Sequence, residues 1–135
     1  MSDTPTADDY ASIDRAADEL QRRGWRYRFS LNETIEGWSS FVDLVETGYS
    51  MTIDDYANDL SIRQSLEEAR PFLTPRVAES MDARTAAVDD RFRNATDPTF
   101  RPLPGAGAGW WSSRLPKVLI DDLAEDAARM NLRDR

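Results

Sequence analysis

From Asn32 onward, Ile35, Trp38, Phe41, Val42, Val45 and Tyr49 recur at three- and four-residue spacing, and no other stretch constrains the fold as strongly. The spacing predicts a helix with one continuous apolar face. Glu33, Glu36 and Asp43 fall on the far side, Glu46 lies on the flank, and Gly48 is placed to end the helix with a residue tolerant of positive φ. A stripe this rich in aromatic and β-branched side chains becomes the centre of a bundle once the rest of the chain supplies partners for it.

The other segments supply them. Thr6 and Asp9 form a capping box for a first helix with the stripe Tyr10, Ile13, Ala17 and Leu20, which Gly24 ends. From Trp25 to Leu31 the period changes to two, with Trp25, Tyr27, Phe29 and Leu31 on one side and Arg26, Arg28 and Ser30 on the other. That alternation predicts a half-buried extended segment, which pairs with a second strand, pairs across a dimer, or serves only as a connector. Thr52 and Asp55 form a second capping box, starting a helix with the stripe Ile53, Tyr56, Ala57 and Leu60. The later apolar positions Ile62, Leu66, Ala69 and Leu73 fall in another phase, so a break is expected near Asn58 to Ser61. Thr74 and Pro75 open a helix running to about Ala95, with Val77, Met81, Val88 and Phe92 on one face and Arg84, Asp89, Arg91 and Arg93 mostly off it. Residues 96–114 read as a long loop with three prolines, Gly105, Gly107 and Gly109, then Trp110 and Trp111. A last helix from about Pro116 to Asn131 carries Val118, Leu119, Leu123, Ala127 and Met130. The expected architecture is mainly α: a disordered terminus at 1–5, then a single helical domain at 6–135, with four to six helices and one short extended segment near 25–31.

Composition narrows the chemistry. The 135 residues include no cysteine and no histidine, which excludes disulfide frameworks, cysteine–histidine zinc sites, cysteine nucleophiles and histidine-based triads. Lys117 is the sole lysine and has no visible activating partner for Schiff-base work. A net charge of −8 argues against binding duplex nucleic acid and favours a basic protein partner. No apolar run approaches the length of a membrane span, and the polar, acidic first residues lack the chemistry of a secretory or transit signal. A cytoplasmic location is expected.

Several clusters invite a functional reading. Asp54, Asp55, Asn58 and Asp59 surround Tyr56, with Asp55, Asn58 and Asp59 on one helical face, so their oxygens suit a cation or a cationic partner. The plain alternative is a solvated face over a buried tyrosine. No EF-hand spacing is present, and di-metal carboxylate bundles also use histidine. Arg22, Arg23, Arg26 and Arg28 interleave with aromatics; in a basic protein this would suggest a single-strand nucleic-acid platform, whereas here the arginines are expected to pair with nearby carboxylates. The Gly105 to Gly109 run lacks the lysine and hydroxyl of a phosphate loop. It reads as a hinge that lets Trp110 and Trp111 pack on the protein's own core or on a partner. No catalytic residue, metal ligand or cofactor site is assigned.

The runs Gly37 to Tyr49, Thr52 to Tyr56 and Asn58 to Leu60, with Trp110-Trp111 and Arg114-Leu115-Pro116, resemble a group of small actinobacterial proteins for which no activity is established. The resemblance implies a cytoplasmic protein from a high-GC bacterium and nothing about sites. Three functional classes follow. The first is a non-enzymatic binding protein of antitoxin or immunity type, engaging a cationic protein through Asp54, Asp55, Tyr56, Asp59, Trp110 and Trp111. The second is a carboxylate-based metal-dependent or small-molecule enzyme under a tryptophan lid, with a pocket lined by Tyr56, Asp55 and Asp59. The third is a self-associating accessory protein, which predicts a homodimer.

Overall fold

The computed structural model describes residues 4–99 and 101–132. Among them are five α-helices: α1 (Ala7–Arg22), α2 (Leu31–Thr47), α3 (Ile53–Ala69), α4 (Pro75–Ala95) and α5 (Asp121–Met130). Two three-residue strands, β1 (Thr96–Pro98) and β2 (Arg114–Pro116), pair antiparallel with Asp97 opposite Leu115. The fold is mainly helical, and no described helix is long and apolar enough to cross a membrane. The expectation of disorder at 1–5 falls outside the described residues at 1–3; Thr4 and Pro5 are exposed, and Arg76 donates to the Thr4 carbonyl at 2.9 Å.

The α2 stripe is the centre of the larger core. Trp38, Phe41, Val42, Val45 and Tyr49 pack with Tyr56 and Leu60 of α3, Phe92 of α4, and Leu103, Trp111, Leu115 and Leu123. Trp38, Phe41, Tyr49, Tyr56 and Phe92 form a ring-to-ring chain with centroid spacings of 5.1 to 6.2 Å. A smaller cluster joins Ala16, Ala17 and Leu20 of α1 to Ile35, Leu66, Ala69, Val77 and Met81. Gly48 closes α2 at φ 129°, a backbone conformation that L side chains rarely adopt, so the position favours glycine.

The structure departs from the sequence expectations at four places, each with a physical reason. The break expected at 58–61 is absent, because α3 is continuous and its two apolar phases face two different clusters: Tyr56 and Leu60 the larger, Leu66 and Ala69 the smaller. The stripe of α1 is rotated: Tyr10 is 59% exposed, while Asp9, Ser12, Ala16, Ala17 and Leu20 are buried. Of the three readings of 25–31 the structure takes the connector, with no strand partner among the described residues; the departure is in the alternation, since Tyr27 is 79% exposed although Phe29 is buried. The extended pairing lies instead at β1 and β2, whose two prolines hid it. Finally, α5 begins at Asp121 rather than Pro116, since 114–116 is committed to β2, Leu119 bridges Tyr49, and Asp121 takes φ 49°.

Local signals predicted the starts of α1, α3 and α4; α2 begins after Ser30, whose side chain makes no capping hydrogen bond. Thr6 and Asp9 make the reciprocal capping box of α1, Thr52 accepts from the Asp55 N–H, and Thr74 caps α4 with Pro75 in the first turn. Asp9 also accepts from Thr74 Oγ1 at 2.7 Å, which ties the start of α1 to the start of α4.

Candidate functional site

The candidate residues separate into a surface set and a core set. Asp54 and Asp55 are exposed in the first turn of α3, and Asp59 is half-buried one turn further on. The start of α5 lies alongside them. Asp126 Oδ2 accepts from the Ile53 N–H at 2.9 Å, so a side chain of α5 caps the first residue of α3, and the Asp122 N–H donates to the Ser50 carbonyl at 3.3 Å. Asp121, Asp122 and Glu125 are exposed on α5. The two helix starts therefore share one acidic end. Each N-terminus brings about half a positive charge, which favours these carboxylates locally but does not cancel them.

Among the described residues ion pairing is sparse at this end, as it also is at Asp8, Glu33, Glu36 and Glu79. Elsewhere, arginines reach carboxylates across and along helices: Arg70 holds Asp82, Arg91 holds Glu46 and Asp43, Arg23 holds Glu19 and Glu68, and Arg28 holds Asp18 and Asp14. At the acidic end Arg129 pairs with Asp126, whereas Asp54, Asp55, Asp59, Asp121, Asp122 and Glu125 make no ion pair among the described residues.

Tyr49 links this end to the core. Its hydroxyl donates to Asp59 Oδ2 at 2.6 Å. Burial, then the hydrogen bond to Asp59, then the charges of Asp59 and Asp55 push the phenol far above the ordinary tyrosine range. It remains a fixed donor and holds Asp59 in place as an acceptor.

The remaining candidates are core residues. Tyr56 is fully buried and its hydroxyl donates to the Arg114 carbonyl at 2.8 Å. Trp111 is 3% exposed, its Nε1 donates to the Ala106 carbonyl at 2.9 Å, and the Arg63 guanidinium lies 5.0 Å from its ring centroid. Of the two surfaces left open for the tryptophans, Trp111 takes the protein's own core. A Cβ on Gly109 would collide with its ring, so that glycine is required by close packing. Trp110 is half-buried against Phe92, with Arg93 3.9 Å over its face. Asp59 lines a cleft with residues of the 25–30 connector, α2 and α3 whose lining includes none of Tyr56, Asp55, Trp110 and Trp111, and among the described residues no group of three carboxylates is arranged to hold a metal ion.

Two features were missed in sequence. Asp126 as the partner of α3 carries no local signal, because 73 residues separate it from Ile53. The second is a cleft of about 490 Å³ between the 25–30 connector, α2 and α3, lined by Tyr27, Glu33, Gly37, Asp59, Ser61 and Ser65 among others. No protein-family model, curated protein or solved structure matches the chain.

Proposed function

We propose that this is a non-enzymatic binding protein whose acidic end, built from the starts of α3 and α5, engages a cationic surface on another protein, in the manner of an antitoxin or immunity protein. One observation carries the reading: Asp54, Asp55, Asp59, Asp121, Asp122 and Glu125 lie together without an arginine partner in a chain that neutralises carboxylates at many other places. Unpaired charge of one sign raises the encounter rate with a partner of the other sign and suppresses wrong partners. The proposed setting is the cytoplasm, with which a cysteine-free chain is compatible.

The test is capture of partners from host lysate by the wild-type protein and by an Asp54→Asn, Asp55→Asn, Asp59→Asn variant. Asparagine retains the acceptor oxygens that meet Thr52 and Tyr49, so the variant removes charge while leaving those hydrogen bonds available. A basic protein held by the wild type at low salt and lost from the variant supports the reading. Equal capture by both would end it.

A further inference from the structure

We propose that the partner's cationic surface carries an apolar anchor, which seats on an exposed apolar patch beside the acidic end; this rests on the reading of that end as a partner surface. The path of the chain gathers the patch. Tyr49 bridges Leu119 in parallel and the Asp122 N–H donates to the Ser50 carbonyl at 3.3 Å, so residues 49–50 run alongside residues 119–122. Leu119 packs on the larger core, whereas Val118, just before the bridge, is 46% exposed. Ile120 is half-buried and lies over Gly48, its Cδ1 2.8 Å from where a Cβ would stand. Leu44, one turn before Gly48 on α2, is 47% exposed, and Met51, just past the bridge on the other segment, is 44% exposed. Among the described residues the other large hydrophobic side chains this exposed are Tyr10 and Tyr27, on separate elements. Leu44, Met51 and Val118 thus gather where two segments meet, which a random scatter of surface hydrophobics would not do.

Charge decides what covers the patch. Asp121 and Asp122 follow Ile120 directly, Asp54 and Asp55 follow Met51 within four residues, and all four are exposed, with Glu125 one turn further along α5. The cations on these segments are Lys117 and Arg129, and Arg129 is held by Asp126 at 2.7 Å, so one lysine faces the group. Asp43 and Glu46 of α2 are held by Arg91 and add little to it. A second copy seated on the patch by a twofold axis would bring the same carboxylates against one another, and like charge opposes that contact. A cationic protein meets attraction from the same carboxylates. The occupant that satisfies both features is a leucine-like side chain flanked by lysine or arginine. Each part does different work: exposed charges attract and orient but are screened by salt, while covering apolar surface is nearly insensitive to salt.

The experiment is an NMR titration of the full chain with a twelve-residue peptide repeating Lys-Leu-Lys, with a Lys-Ser-Lys peptide of equal charge and a Glu-Leu-Glu peptide as comparisons. The Lys-Leu-Lys peptide should give saturable shifts at residues 44–51 and 117–125 and bind about tenfold tighter than the Lys-Ser-Lys peptide. Val118→Ser combined with Met51→Ser should remove most of that difference; both side chains are exposed, and an unchanged melting temperature confirms that the fold is kept. Equal affinity for the two lysine peptides would overturn the apolar anchor and leave the acidic-end reading standing, as would an advantage for leucine that the double variant does not reduce. Preference for the Glu-Leu-Glu peptide would overturn both, and so would the absence of saturable binding by either lysine peptide. A wild-type dimer in light scattering that Val118→Ser dissociates would give the patch to a second copy and overturn the cationic occupant.

Discussion

The Asp89 carboxylate is 6% exposed, and it accepts from Trp38 Nε1 at 2.9 Å and from Arg63 Nε and Nη2 at 3.0 Å each. Arg63 continues to Glu67 at 2.9 Å and over the Trp111 ring, so one charge-assisted node connects α2, α3, α4 and the tryptophan turn. Burial alone would lower the Arg63 pKa, but Asp89 and Glu67 more than offset it and hold the guanidinium charged. Asp89→Ala leaves that charge buried without its partner and should cost about 3–5 kcal/mol in urea unfolding, with a change in tryptophan emission as Trp38 loses its acceptor. A loss under about 1 kcal/mol would mean that the node is not intact in solution. The periodicity of α4 places Asp89 off its apolar face, and nothing local corrects that. Its partners are 26 and 51 residues away, and periodicity registers polarity rather than pairing. Tyr49 makes a second residue-scale case. Its pKa is raised by folding, so its contribution is complete below the unfolded value near 10 and is lost as pH rises above it. Tyr49→Phe should cost about 1 kcal/mol at neutral pH and flatten the alkaline decline of stability; an unchanged alkaline limb in pH-dependent melting would count against the Tyr49–Asp59 bond.

Among the elements, α3 is the one that the sequence describes least completely. Its start was legible, because Thr52 and Asp55 are a local pair, and so was the apolar face of its first half. Its continuity was not, since a helix enclosed on several sides carries two stripes at different angles and this imitates a break. Arg63 and Ser65 are buried on it along with the apolar residues, which blurs the pattern further. Asn58 tests the difference: it is exposed and lies where the break was expected. In a continuous helix Asn58→Ala should be more stable than Asn58→Gly by about 1 kcal/mol. Near-equality of the two in chemical denaturation would restore the break. The same contrast between local and distant signals explains the rest of the map. The caps at Thr6 and Thr52 are legible in three-residue spacings, and the cap at Thr74 in the proline that follows it. The β1–β2 pair, the docking of α5 through Asp126, and the cleft beneath residues 25–30 depend on long-range contacts, and they largely shape the candidate site.

Across the whole molecule, cation–carboxylate pairs act as inter-helix ties while one end remains acidic, and this arrangement predicts the response to pH. Hydrogen bonds from Arg91 hold Glu46 below the ordinary glutamate range, those from Arg70 do the same for Asp82, and those from Arg23 and Arg22 for Glu19. For Glu68, burial pushes upward, but Trp25, Gln64 and Arg23 together prevail and lower it. Asp9 is lowered first by the Thr6 backbone and then by Thr74. Each of these folded-state values lies below its unfolded counterpart, so each contribution is complete above the ordinary range of 3.8 to 4.5 and is lost as pH falls through it toward the folded value. Between pH 7 and about 5 no side-chain type in this histidine-free chain passes through its ordinary titration range, so those ties persist. Thermal melts should therefore be nearly flat down to about pH 5 and fall steeply below about pH 4. Arg91→Gln tests this: it removes the ties to Glu46 and Asp43, which join α4 to α2, so it should lower stability at pH 7 yet give a shallower acid limb. If the variant and the wild type lose stability in parallel from pH 5 to 3, the acid sensitivity does not come from this pair, and the role assigned to the Arg91 tie between α2 and α4 fails with it.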